Sequence, residues 1–272
     1  MKLSGAVEYS DWRSKIPAIE IIGHRGASKD APENTLSAFR LALEMGADGV
    51  EGDFRLTKDG QIVCMHDATT ARTAGISLAV ADTTLPALRQ VDVGAWKGGK
   101  WSGERIPILQ DIISLIPKEK KLLIELKSGP EIILPLKKIL PESLENIAVL
   151  SFDAGLITLI RREIPAVKTL WLTDYRSVLI TGEWLPSIGM ILQTLQKTGA
   201  TGLGSKAHHS IDAEFVQKLH DAGKEFHVWT VDSHRSAARF SALGADSIIT
   251  NCPGKLKGMF STGGGYEIHP RP

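Results

Sequence analysis

Short apolar runs alternate with amphipathic stretches along almost the whole of this chain, and few folds accept that pattern. Strand-like runs fall at 19–23, 47–54, 121–127, 147–152, 167–172, 202–204, 225–230 and 246–250. Helix-like periodicity separates them at 36–45, 109–116, 131–139, 154–163, 188–198, 213–222 and 235–243. Glycines stop several of these helices, as in the turns at Gly199, Gly223 and Gly244. Strict alternation over 272 residues predicts an α/β fold closed as a TIM (β/α)8 barrel. A doubly wound open sheet is the alternative. It wants a glycine-rich loop after the first strand, but Gly23-His24-Arg25-Gly26 puts two bulky cations there.

Two stretches interrupt the rhythm. The turn Lys58-Asp59-Gly60-Gln61 sends 62–65 back as an extra strand. Residues 68–107 have poor periodicity and carry Trp96-Lys97-Gly98-Gly99-Lys100-Trp101, so they read as an insertion expected to pack beside the barrel mouth. The expected organisation is one barrel domain over 18–260, with an N-terminal arm at 1–17 and a tail at 261–272.

With 32 basic and 31 acidic residues the net charge is +1, which argues against bulk electrostatic binding to nucleic acid or anionic membrane. The two cysteines, Cys64 and Cys252, sit at apolar strand ends and read as packed thiols. No apolar stretch reaches membrane-spanning or signal-peptide length, so stable membrane insertion is not expected and a cytoplasmic location is.

The chemistry gathers at strand ends between 18 and 67. Side chains at i and i+2 share a strand face, so Glu51 pairs with Asp53, and Glu125 with Lys127. At the C-terminal mouth of a barrel these carboxylates would converge and repel unless a cation lay between them. Ca²⁺ or Mg²⁺ suits an all-oxygen ligand set. The bland reading of an isolated E-x-D, two solvated acids, fits poorly with Glu125 in its apolar frame. His24 and His66 each follow an apolar run and read as an acid/base pair. Arg25 and Lys127 add positive charge suited to a phosphate. Asn34 could bridge this network or cap the following helix.

These residues resemble the glycerophosphodiester phosphodiesterase family. The likeness lies in Gly23-His24-Arg25-Gly26, Pro32-Glu33-Asn34-Thr35, Val50-Glu51-Gly52-Asp53, Leu56-Thr57-Lys58-Asp59-Gly60, His66-Asp67, Ile124-Glu125-Leu126-Lys127, Ser151-Phe152-Asp153 and Val228-Trp229-Thr230-Val231. It implies a TIM barrel with a small insertion after the second strand. Activity on a small-molecule glycerophosphodiester, giving sn-glycerol 3-phosphate and an alcohol, follows from it. So do one divalent metal on Glu51, Asp53 and Glu125, and catalysis by His24 and His66. Arg25 and Lys127 would hold the phosphate, supported by Glu33 and Asn34, with Phe152 and Trp229 as a wall. The chain departs from the family at Thr70-Ala71-Arg72-Thr73, where Leu-Asp-Arg-Thr is usual, and at Asn251-Cys252-Pro253, where Asp-x-Pro is usual. Two rivals remain: a lysophospholipase D or other phospholipase-type phosphodiesterase on the same barrel, and a barrel that binds phosphorylated ligands without catalysis. The first should carry an apolar rim. Trp96, Trp101 and Trp184 could supply one or could fill small satellite cores.

Overall fold

A computed structural model describes residues 19–177 and 184–261. The expected arm (1–17) and all but the first residue of the tail (261–272) lie outside the described residues. The strands are β1 (Glu20–His24), β2 (Gly49–Leu56), β3 (Ile62–Cys64), β4 (Lys121–Leu126), β5 (Ile147–Ser151) and β6 (Lys168–Thr173). They continue as β7 (Arg176–Ser177), β8 (Trp184–Leu185), β9 (Gly202–Lys206), β10 (Glu225–Trp229) and β11 (Ser247–Thr250). Eight of them run parallel in the order β1-β2-β4-β5-β6-β9-β10-β11, and β1 pairs with both β2 and β11, which closes the barrel. The expected TIM barrel is what forms. β3 returns antiparallel on β2, as the Lys58–Gln61 turn predicts.

Period-two alternation explains where the core sits. In β2, Val50 and Phe54 face outward against Phe39 of helix α1 (Leu36–Glu44), which leaves Glu51 and Asp53 facing the barrel axis. Ile22, Leu123, Leu150, Leu170, Leu172 and Ile249 fill the interior. Two residues beyond Ile22, Leu123 and Ile249 on the same strand faces stand His24, Glu125 and Asn251. These three inward columns therefore change from apolar floor to polar mouth within one pleat repeat.

The insertion holds two single-turn helices, α2 (Ala71–Ala74) and α3 (Leu85–Leu88), and contributes no barrel strand. It closes over a small aliphatic core of Val63, Met65, Val80, Leu88, Val91, Val93 and Ile106. The remaining helices are α4 (Leu109–Leu115), α5 (Ile133–Ile139), α6 (Ala154–Glu163), α7 (Ile188–Thr198), α8 (Ala213–Asp221), α9 (His234–Ala242) and α10 (Pro253–Ser261). Helix α10 was not expected from periodicity. Pro253 opens it and two glycines weaken its pattern, yet it packs on β1 and completes the outer ring. Cys64 and Cys252 are buried and free, as their positions indicated.

At Gly26 a close approach coincides with a left-handed backbone. Gly26 has φ +84°, and a Cβ there would lie 2.5 Å from the backbone of Ala38. Gly26→Ala is therefore expected to cost at least about 2 kcal/mol of stability, combining left-handed strain with overpacking. Urea melts would read this; an unchanged midpoint would contradict the tight turn.

Candidate active site

Strand β2 delivers Glu51 and Asp53 to the mouth, and β4 delivers Glu125. One carboxylate oxygen from each lies within 4.8 Å of the others, and all three residues are buried. Burial first, and then the charge of Asp53, pushes the Glu51 carboxyl up to about 8. Glu125 rises to about 7 for the same two reasons in the same order. Burial acts on Asp53 as well, but Arg25 and Lys127 outweigh it and hold that carboxyl below its ordinary value. Glu51 Oε1 is buried without a hydrogen-bond partner. Crowded oxygens, raised pKa values and an orphan acceptor are what a divalent cation would relieve, so these residues fit such an ion.

The cationic side chains are locked among these acids. Arg25 pairs through Nη1 with Glu33 at 2.9 Å and through Nε with Asp53 at 3.1 Å, while its backbone N–H donates to Glu51 at 3.0 Å. Its φ of +55° is uncommon for a non-glycine residue, and these contacts hold it there. Lys127 lies 3.2 Å from Asp53 Oδ1 and also donates to Glu125. Asn34, with φ +59°, grips Asp53 twice: its amide donates to Oδ2 at 2.9 Å and its carbonyl accepts the Asp53 N–H at 3.1 Å. It is the network bridge. The N-cap of α1 is Thr35, whose hydroxyl accepts from Ala38 N at 3.1 Å.

His24, the last residue of β1, and His66, just beyond β3, line the same cavity of about 190 Å³ together with Arg25, Glu51, Glu125 and Lys127. Leu150, Phe152, Leu172, Trp229 and Ile249 line its other half. The rings of Phe152 and Trp229 meet edge-on with centroids 5.6 Å apart. The mouth is thus split into a charged half over β1, β2 and β4 and an apolar half over β5, β6, β10 and β11.

Reading the sequence missed what orients the histidines. His24 Nδ1 lies 2.7 Å from Asn251 Oδ1, which also accepts from the Ser28 hydroxyl at 2.8 Å. The Asn251 amide in turn donates to Asp232 Oδ2 at 2.7 Å, so its oxygen must face His24. His66 Nδ1 lies 2.7 Å from Asp67 Oδ1. Hydrogen bonding to Arg72 is the leading reason the Asp67 carboxyl falls to about 2. Arg72 also spans both oxygens of Glu33 at 2.8 Å, so the insertion braces the site even though Thr70 and Ala71 differ from the usual residues. Arg55 donates to the carbonyls of His66 and Lys127, which ties β2 to both loops. The strand parity that puts Asn251 two residues beyond Ile249 was a usable signal; nothing in the sequence marked Arg55 or Asp232.

Asn251→Ala should free the His24 ring. Turnover is expected to fall roughly 10- to 100-fold with little change in KM, since misplacement of about 1 Å can cost that much. Steady-state kinetics would read it, and a KM effect alone would mean that Asn251 contacts substrate instead.

A closed barrel that brings three carboxylates, two histidines, an arginine and a lysine around one small mouth cavity defines a hydrolase-type site for phosphate esters. Residues 24–255 match the glycerophosphoryl diester phosphodiesterase family. A glycerophosphodiester phosphodiesterase of Caldanaerobacter subterraneus is 35% identical over 251 residues, covering 90% of this chain and 98% of its own. The Oleispira antarctica phosphodiesterase solved with its product sn-glycerol-3-phosphate superposes with TM-score 0.78 at 26% identity, covering 92% of this chain and 98% of that one. The Thermotoga maritima glycerophosphodiester phosphodiesterase gives TM-score 0.73 at 25% identity, covering 89% and 99%. This chain belongs to the glycerophosphodiester phosphodiesterase family.

Proposed function

We propose that the protein hydrolyses glycerophosphodiesters to sn-glycerol 3-phosphate and an alcohol. The observation that carries this reading is the convergence of His24, His66 and the Glu51/Asp53/Glu125 cluster on one cavity of about 190 Å³. Such a cavity suits a phosphate between two small alcohol groups. Glu51, Asp53 and Glu125 would hold a divalent cation, Mg²⁺ or Ca²⁺, which when bound neutralises charge on the phosphate as the transition state forms. Arg25 and Lys127 sit where they can meet the non-bridging oxygens, and their own carboxylate partners keep both cations in place.

The hydrogen bonds of the two histidines support a proton-transfer role for each ring. Asn251 Oδ1 and the Asp67 carboxylate are both acceptors here, so each ring carries its proton on Nδ1 and offers Nε2 to the cavity. Burial, and then Arg25, lowers the His24 pKa, which favours the neutral base. That leaves His66, held 2.7 Å from Asp67 Oδ1, for the acid role. His24 Nε2 then takes the proton from the nucleophile, either the glycerol 2-hydroxyl or water, and His66 Nε2 protonates the leaving alcohol.

Release of sn-glycerol 3-phosphate from glycerophosphocholine in the presence of Mg²⁺ or Ca²⁺ tests the reading directly. Failure with both ions, by a protein that binds glycerol phosphate normally, would favour the non-catalytic barrel.

A further inference from the structure

The tryptophan-lysine motif of the insertion plays no part in the site described above. Its side chains do not enter the insertion's aliphatic core either. Trp96 is 43% exposed, and its indole N–H is already satisfied by Val93 O at 2.9 Å. What it presents outward is therefore an apolar ring with no polar atom left to pair. Lys97 Nζ sits 5.3 Å from the Trp96 ring centre and donates to Ser28 O at 2.7 Å, which fastens the motif to the loop beside His24. Lys100 Nζ lies 4.7 Å over Trp101 and is exposed.

Trp96 is not isolated. Among the described residues the exposed large hydrophobic side chains are Ile76, Trp96, Leu134, Phe152, Trp184 and Met190. All six stand on the catalytic face. Phe152 directly follows β5, and Trp184 lies in the connection after β6. Leu134 and Met190 are in the first turns of α5 and α7, and in this barrel helices start at the end where strands finish. Ile76 follows the helix whose Arg72 reaches Glu33 at the mouth. A monomer surface scatters such residues; here the elements that carry them all lie toward the end where the barrel strands finish.

We propose that this rim seats the barrel, mouth inward, on an anionic lipid surface. Charge separates that occupant from a protein partner. The insertion, residues 68–107, carries five basic and three acidic side chains. Asp92 accepts from the Gly94, Ala95 and Gly103 N–H groups and Glu104 from Ser37, while of the bases Arg72 pairs with Glu33 and Asp67 and Arg89 with Asp111. Lys97 and Lys100, beside the two tryptophans, form no ion pair among the described residues, so the charge next to the rings is positive. Tryptophan rings with adjacent lysines suit the headgroup layer, where the ring is half-buried and the ammonium meets phosphate. No described helix is long and apolar enough to cross a membrane, and the contact proposed is a peripheral one. The proposal rests on the phosphodiesterase reading only in taking the mouth as the working face. It would give that mouth access to diester headgroups at a membrane, with any acyl chain left outside a cavity too small to hold it.

Co-sedimentation with phosphatidylcholine vesicles, with and without phosphatidylglycerol, tests this. Wild-type protein should partition onto the anionic vesicles and be released by salt. Trp96→Ala should weaken partition about tenfold, and Lys100→Ala about fivefold. Both variants should hydrolyse soluble glycerophosphocholine at the wild-type rate and melt at the wild-type temperature. Wild-type protein that stays in the supernatant with anionic vesicles at low salt overturns the proposal. So does binding that neither variant weakens. Activity on the soluble substrate is a separate readout, so loss of either reading leaves the other standing.

Discussion

Alanine in place of either His24 or His66 is expected to lower turnover of glycerophosphocholine by roughly 10²–10⁴-fold, the range for one positioned proton-transfer group. KM should move far less, because in the proposed reading the phosphate would be held by Arg25, Lys127 and a metal on the three carboxylates. The two variants should then separate on a substrate with a better leaving group. From a nitrophenyl ester of glycerol phosphate, nitrophenolate departs without being protonated. His66→Ala should recover most of its rate on that ester, since only the acid has been lost. His24→Ala should stay slow, because the nucleophile still needs its base. The opposite pattern would exchange the roles. Wild-type turnover by both variants on glycerophosphocholine would remove histidine catalysis from this site.

That assignment depended on contacts no sequence pattern displayed. The barrel itself was legible because each strand and helix carried its own period, and the strand parity that buries Ile22 and Leu123 also aims His24 and Glu125. The carboxylate cluster was legible for the same reason: E-x-D on one strand and E-x-K on a neighbour must share a face. The supports were not. Asn251 is 227 residues from His24, and Asp232 acts only through Asn251. Arg72 reached Glu33 from an insertion whose path periodicity could not trace. Helix α10 was missed because glycine and lysine blur its apolar face, though β1 gives it a surface to cover. Local periods encode elements; long-range polar pairs depend on how loops from distant strands meet at the mouth.

Glu51→Gln should remove metal-dependent activity and leave the barrel folded. Burial and the charge of Asp53 push the Glu51 carboxyl up to about 8, so without metal its protonated form is favoured near neutral pH and a glutamine is nearly its replica. The amide oxygen can still accept the Arg25 N–H that Glu51 Oε2 now receives at 3.0 Å. What it lacks is the charge that holds a cation. Metal-assisted charge stabilisation is worth several kcal/mol, so turnover should fall by about 10³-fold or more. The same logic fixes a pH signature. Folding raises Glu51 to about 8 and Glu125 to about 7, both from ordinary values of 4.5. Raised acids contribute stability that is complete below their unfolded pKa and lost as pH climbs through the folded one. Metal-free protein should therefore weaken from about pH 5 to pH 8, as these two carboxyls are forced to ionise beside Asp53. Mg²⁺ or Ca²⁺ favours the ionised forms, so the gain in melting temperature on adding metal should be small at pH 5 and large at pH 8. Glu51→Gln cannot ionise at that position. Its metal-free melting temperature should fall less with pH than that of the native protein, and added ion should raise it little. Melts in chelator and in millimolar metal at the two pH values decide this. Equal metal-induced shifts at pH 5 and pH 8 would mean that these carboxylates are not where the ion binds.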